Sequence, residues 1–393
     1  MIVTTSGLDA TPPVLRPIEA SLLDAVGGGE LLWCGRGATA LYWAYRAVAA
    51  ANPAPGPAEV ILPAMACTTP ADAALLAGLR PRFADADPAT GLVALPAIAA
   101  RWTPQTRAVV FVHLYGQTAA LGPLREWCHA RGVALIEDAA QALGARLPDG
   151  SPVGSVGDLC IYSFTRTKIL ESGGGALLAR ASAYREALAA ALRGPAPPLQ
   201  LEDDDLALLA LSQRNLHHAL VALRRLRAIP APAPLLSALR ASYDRLYLRG
   251  MRDPAALAAA WGGLPAALAQ RRRAAEEYAE RLQGGPWRIL DGWRASGVCW
   301  RFSLLLDSPE PLVAFSDALR QDGFHVSNLY WPVHEFFAPD DDCPAAEAFA
   351  RRIVNLWVDP GVSLDWVRRC ADSARRHARR LLGSGAPAAG RAS

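Results

Sequence analysis

Of the 40 basic side chains in this 393-residue chain one is a lysine, Lys168, and the other 39 are arginines. Arginine serves as well as lysine wherever a surface cation is needed, but its guanidinium stays protonated and cannot act as an amine nucleophile. Lys168 is therefore the one basic side chain able to lose a proton and attack a carbonyl, as a Schiff-base lysine does. It follows an apolar run, 159–162, within a short polar turn that holds Ser163, Thr165 and Thr167. Gly173, Gly174 and Gly175 and a second apolar run, 176–179, come next, so the stretch predicts strand, loop, strand. The alternative is a leftover lysine on a solvated turn.

A Schiff-base lysine usually serves pyridoxal phosphate, whose pyridinium ring draws electrons from the carbon being deprotonated. That ring nitrogen keeps its proton best beside a buried carboxylate. At about 4 Å and an effective dielectric near 20, such a pair is worth on the order of 4 kcal/mol before desolvation is counted. Asp138 is the candidate, because it closes the apolar run 133–136 and so stands at a strand end. A turn or helix cap would account for one Asp equally well.

These residues need a sheet to bring them together, and the pattern from Glu59 onward supplies one. Apolar runs at 59–63, 108–112 and 133–138 alternate with helical stretches at 70–78 and 121–131, the texture of an α/β domain. The run at 108–112 is apolar throughout, as expected of a strand covered on both faces. Such sheets bind ligands at the carboxyl ends of their strands, where His113, Asp138 and Ser163 would fall. Upstream, residues 31–34 run through Gly35 and Gly37 into a helical pattern at 39–51. A helix opening at Ala38 or Thr39 would aim free backbone N–H groups at an anion, and a tight packing turn is the other reading.

Residues 1–30 form a lead-in, and 31–250 a large domain with a Pro-bounded helical excursion over 195–250. A connecting helix at 251–284 leads to a small α/β domain at 285–393, with strands at 298–306 and 324–330. Hydrophobic content of 52% against 20% charged residues indicates a globular chain, and no apolar run is long enough to span a membrane. Residues 1–15 lack the pattern of a secretion signal. A net charge of +3 is too small to argue for nucleic acid or an anionic membrane, and the Arg-rich 368–380 stretch fits the wet face of a closing helix. Seven cysteines without a CxxC point to reduced thiols in a cytoplasmic protein, neither a disulfide frame nor a metal site.

Taken in order, Asp85-Ala-Asp87-Pro88, Val112-His113-Leu-Tyr115-Gly116-Gln117, Glu137-Asp138-Ala139-Ala140-Gln141, Gly154 to Asp158, and Ser163-Phe164 with Lys168 and the triple glycine resemble the DegT/DnrJ/EryC1/StrS sugar aminotransferases. The likeness runs in register from about Trp33 to Ala179 and returns weakly near 343–347 and 354–360. It implies fold type I, with a mainly parallel seven-stranded sheet in the large domain, a smaller C-terminal α/β domain, pyridoxal 5′-phosphate as cofactor and a homodimer. It also implies that Lys168 forms the internal aldimine and shuttles the proton, that Asp138 holds the pyridine nitrogen, that Gln141 bonds the phenolic oxygen and that Ser163 binds the phosphate. The Gly37-Ala38-Thr39 turn matches the family's phosphate-binding segment, and His113 lies near the cofactor, more as a structural than a catalytic group.

Three positions depart from the family pattern. Ala38 stands where a Thr is expected, with Thr39 displaced by one; Cys67 stands where an aromatic stacks on the cofactor ring; and Leu246 to Asp253 contains no Asn for a partner's phosphate. The implied activity is transfer of an amino group from glutamate or glutamine to a keto group on a nucleotide-linked sugar or related polyol. The departures leave room for a protein that keeps fold and cofactor as a binding or regulatory module. A nucleotide-binding reading of the Gly-rich turns is weaker, because Gly35-Arg-Gly37 lacks the third glycine of GxGxxG and no GxxxxGK[ST] occurs.

Overall fold

The computed structural model describes residues 11–53, 56–193, 251 and 253–382. The helical excursion expected at 195–250 lies outside the described residues, as does the Leu246 to Asp253 segment apart from Met251 and Asp253.

Seven short strands form one sheet: β1 (Glu30–Cys34), β2 (Glu59–Pro63), β3 (Arg80–Ala84), β4 (Thr106–Val112), β5 (Ala134–Asp138), β6 (Leu159–Ser163) and β7 (Gly175–Ala179). Their order is β1-β7-β6-β5-β4-β2-β3, and only β7 runs against the rest. Every residue of β2, β5, β6 and β7 is buried, as the unbroken apolar runs require once helices cover both faces. Parallel pairing brings the carboxyl ends of β2, β4, β5 and β6 to one edge. β7 enters at that same edge, with Gly175 opposite both Ser163 and Cys34.

The triple glycine has a steric reason. A Cβ on Gly175 would lie 2.3 Å from the carbonyl carbon of Arg36 and 2.4 Å from the backbone nitrogen of Gly37. Only a residue without a side chain lets β7 pass under the turn into the helix Gly37–Ala51. Gly37 has the same constraint from the other side, since its Cβ would stand 2.7 Å from Cβ of Ser163.

A second sheet is antiparallel, in the order β10-β11-β9-β8, from β8 (Trp287–Leu290), β9 (Phe302–Leu306), β10 (Val326–Ser327) and β11 (Ile353–Leu356). It shares a core with the helices Leu264–Leu282, Leu312–Gln321 and Leu364–Leu381. Ser363 caps the last of these, its hydroxyl accepting from the Trp366 N–H at 3.1 Å. The two sheets are joined by polar contacts at one of the motifs quoted above. The Asp85 carboxylate accepts from the N–H groups of Ala345 and Ala346 at 3.1 and 2.8 Å, at the start of the helix Pro344–Ala350. Asp87 closes its own turn through the Ala89 and Thr90 N–H groups.

Three details differ from the sequence expectations. The lead-in contains a helix, Arg16–Val26, that ends at Gly27 with φ +81°. The single connecting helix expected over 251–284 is two, Pro254–Trp261 and Leu264–Leu282, because Gly262-Gly263 followed by Pro265 interrupts the ladder. The strand expected at 324–330 is reduced to Val326–Ser327, and the segment after it turns back toward the large sheet.

The Gly175→Ala variant is expected to lose roughly 1–3 kcal/mol of stability, or to fail to fold, because its new methyl meets backbone that cannot rotate away. Urea denaturation followed by far-UV circular dichroism measures this, with Gly262→Ala as a comparison at an open position of ordinary helical φ.

Candidate active site

Adjacent carboxylates at the end of β5 point to opposite faces of the sheet, as neighbouring strand residues must. Glu137 is fully buried and accepts N–H hydrogen bonds from Gly154 (2.9 Å), Val156 (3.0 Å) and Gly157 (2.7 Å), and its Oε2 lies 3.0 Å from Nε2 of His113. Burial alone would raise its pKa; the hydrogen bond and charge of His113 and the Gly157 and Gly154 N–H groups outweigh that and hold it below the usual range. Glu137 is thus a structural anion that gathers the 154–157 loop, and His113 is its partner.

Asp138 is buried with far less support. One oxygen accepts from the Ala140 N–H at 3.0 Å. Burial pushes its pKa up, and the Ala140 N–H, the Lys168 ammonium and His113 oppose the shift without cancelling it. A carboxylate in this state is poised to gain from a cation placed beside it.

Lys168 reaches the same edge from the 164–172 turn. Thr167, just before it, has φ +72°, a conformation that costs a β-branched residue energy and is held here from several sides. Its N–H donates to Glu171 Oε1 at 2.9 Å and its carbonyl accepts from Trp300 Nε1 at 2.6 Å. Nη2 of the buried Arg271 donates to the Lys168 carbonyl at 3.3 Å. Nζ of Lys168 stands 5.7 Å from the centre of the Trp300 ring. Trp300 is itself fixed, because Arg271 and Arg301 both donate to its carbonyl, at 3.1 and 2.8 Å, and both pair with Asp359. The Arg301 guanidinium lies 4.5 and 4.1 Å from the ring centres of Trp300 and Trp357.

Cys67, past the end of β2, borders both charged groups. Burial raises its pKa, the Lys168 ammonium pulls it back and Asp138 adds to the rise, so it remains a thiol. Gln141 is held at both ends. Its Oε1 accepts from the Tyr115 N–H at 2.8 Å and its Nε2 donates to the Tyr330 hydroxyl at 2.9 Å; Tyr115 adopts φ 59° to make the first of these. On the far side of the cluster, no side chain caps the helix Gly37–Ala51. Within its first turn Thr39 is buried with its hydroxyl unpaired, and Gly37 packs against Ser163, whose Oγ lies 3.1 Å from that of Thr165.

Lys168, Asp138, Cys67 and Gln141 therefore share one end of the sheet, with the uncapped turn 37–39 and Ser163 together next to them. His113 lies beneath, bound to Glu137. The sequence reading missed Tyr115, Trp300, Tyr330 and the Arg271–Asp359–Arg301 group, of which Tyr115 lies in a motif quoted there and Asp359 in the weakly similar 354–360 stretch.

The pattern of the DegT/DnrJ/EryC1/StrS aminotransferase family matches residues 4–194. A UDP-N-acetyl-3-dehydro-α-D-glucosamine 3-aminotransferase of Acidithiobacillus ferrooxidans is 30% identical over 370 residues, covering 92% of this chain and 88% of its own. An L-glutamine:2-deoxy-scyllo-inosose aminotransferase of Streptomyces kanamyceticus is 40% identical over 147 residues, 36% of this chain and 34% of that one. Among solved structures, DesI in the presence of its TDP-sugar product superposes with a TM-score of 0.71 at 26% identity, covering 94% of this chain and 86% of that chain. With that fold and this site, the chain belongs to the DegT/DnrJ/EryC1/StrS aminotransferase family and is a transferase enzyme. The family implies dependence on pyridoxal phosphate. Among the described residues no helix is long and apolar enough to cross a membrane, and all seven cysteines are free.

The Asp138 pKa gives a test of the site's electrostatics. Since the folded state holds that proton more tightly than the unfolded chain, stability falls as pH rises from the unfolded carboxyl value to the folded one, and stays lower above it. In the ligand-free protein, Asp138→Asn should be more stable than wild type near neutral pH and should show no such gain near pH 3. Denaturation curves at the two pH values measure the difference.

Proposed function

We propose that this aminotransferase uses pyridoxal 5′-phosphate to move an amino group from glutamate or glutamine to a keto group of a nucleotide-linked sugar or related polyol. The observation that carries the reading is the convergence of the chain's only lysine with an under-compensated buried carboxylate at the carboxyl ends of parallel strands. The residues present fit the cofactor. An uncapped helix start, an orphaned Thr39 hydroxyl and a Gly37 that lets Ser163 come close suit a phosphate, and a carboxylate short of partners suits a pyridinium nitrogen.

When bound, the cofactor supplies an electron sink for the carbon that loses its proton. Asp138 would keep the ring nitrogen protonated, and its burial makes that charge pair stronger than it would be in water. Gln141 has one amide hydrogen on Tyr330 and a second free for the phenolic oxygen. Thr39, Ser163 and the N–H groups of residues 37–39 would hold the phosphate. Lys168 would be the covalent attachment point and, once released, would carry the proton between the substrate carbon and the cofactor. The pinned 164–172 turn keeps its amine aimed at that place.

Support for the acceptor class comes from the names of the relatives, two of which specify a UDP-linked and a TDP-linked sugar and a third a cyclitol. A homodimer is part of the same proposal.

Purified protein is expected to be yellow after addition of pyridoxal phosphate, and borohydride should bleach it by fixing the cofactor to Lys168. Lys168→Arg keeps the charge, and it should lose about two to four orders of magnitude in the glutamate or glutamine half-reaction, followed by absorbance. Colourless wild-type protein, or a Lys168→Arg half-reaction within about tenfold of the wild-type rate, would overturn the reading. A yellow protein that no amino donor converts would instead favour a binding or regulatory role.

A further inference from the structure

A planar ring clasped at its rim by Asp138, Gln141 and Lys168 still has two apolar faces to be covered. Aromatic side chains do this best, because stacking adds to the area removed from water. From the β2 side the neighbour is Cys67, whose thiol is too small to cover a six-membered ring. We propose that Tyr330 supplies that cover from the small sheet, so that its ring, and not the residue at position 67, holds the cofactor face; this rests on the function proposed above.

The geometry is that of a side chain placed for the purpose. Past β10, the 328–333 segment leaves the small sheet and is tied to the end of β2, where the Val333 N–H donates to the Ala64 carbonyl at 2.8 Å, three residues before Cys67. The Leu329 N–H donates to Asn355 Oδ1 at 2.9 Å and its carbonyl accepts from the Tyr115 hydroxyl, which fixes the backbone next to Tyr330. The Tyr330 ring lies 6.4 Å from both Tyr115 and Trp300 and within 4° and 9° of parallel to them. Tyr115 and Trp300 are buried, whereas Tyr330 is only half-buried and keeps surface to offer. Its hydroxyl accepts from Gln141, and burial, with the negative charge of Asp138 adding to it, raises its pKa well above the ordinary value, so it stays a neutral phenol. Tyr330 thus touches the group that would meet the phenolic oxygen, on a segment fastened beside the end of β2 that leads to Cys67.

The experiment is a titration of the cofactor-free protein with pyridoxal phosphate, read by quenching of tryptophan fluorescence, with circular dichroism as a check on folding. Tyr330→Ala, or Tyr330→Leu if the alanine variant does not fold, should raise Kd about tenfold. Tyr330→Phe keeps the ring and should stay within about threefold of wild type, and Cys67→Phe added to Tyr330→Ala should recover most of the loss by covering the face from the other side. Wild-type protein that takes up no pyridoxal phosphate overturns both this assignment and the function it rests on. Wild type that binds it while the alanine or leucine variant binds within about twofold overturns the assignment alone, as does Tyr330→Phe binding as weakly as Tyr330→Ala.

Discussion

A carboxylate kept out of water with a single backbone N–H for support is costly, and the Asp138 end of the large sheet is organised around that cost. Its pKa is raised because burial outweighs the Ala140 N–H, the Lys168 ammonium and His113. Such a group persists only where the surrounding fold over-determines it, and here four parallel strands and their helices do so. The same deficit that costs stability would strengthen the site once a cation stands beside the carboxylate. Stability and chemistry thus pull in opposite directions at one residue.

Glu137, one residue earlier, shows the opposite solution. Its buried charge receives three backbone N–H groups and His113, and its pKa falls. Two carboxylates on neighbouring positions of β5 therefore divide the work by facing opposite ways: one fastens the 154–157 loop, the other waits for a ligand. The strand pleat makes that division possible, and the partners on each face decide which residue takes which part.

The small sheet is more than an appendage. It sends Trp300 to the carbonyl of Thr167 and Tyr330 to the amide of Gln141, so that the two sides of the Lys168 site are held from the segment before β9 and from the segment after β10. Behind them, two buried arginines share one aspartate and orient the Trp300 backbone. That arrangement carries a net positive charge inside the protein. Its guanidinium at Arg301 is stacked between Trp300 and Trp357, which softens the desolvation that lowers its pKa.

The α/β class, the strands that end in His113, Asp138 and Ser163, and the singular Lys168 were all legible in the sequence. Unbroken apolar runs mark strands buried on both faces, and a residue type used once in 393 positions marks itself. Ordered motifs from Asp85 to Gly175 carried the family. What those motifs do in space was less legible: Asp85 caps a helix 260 residues away and His113 serves Glu137, which no local pattern announces. Trp300 and Tyr330 were invisible as site residues, since each meets its partner across more than 130 positions of chain and apolar periodicity marks only which face is buried. The sequence by itself determined which groups could do chemistry and which strand ends would carry them. Tertiary packing decided which aromatic rings close the site, because steric fit between two sheets far apart in the chain has no signature in either one.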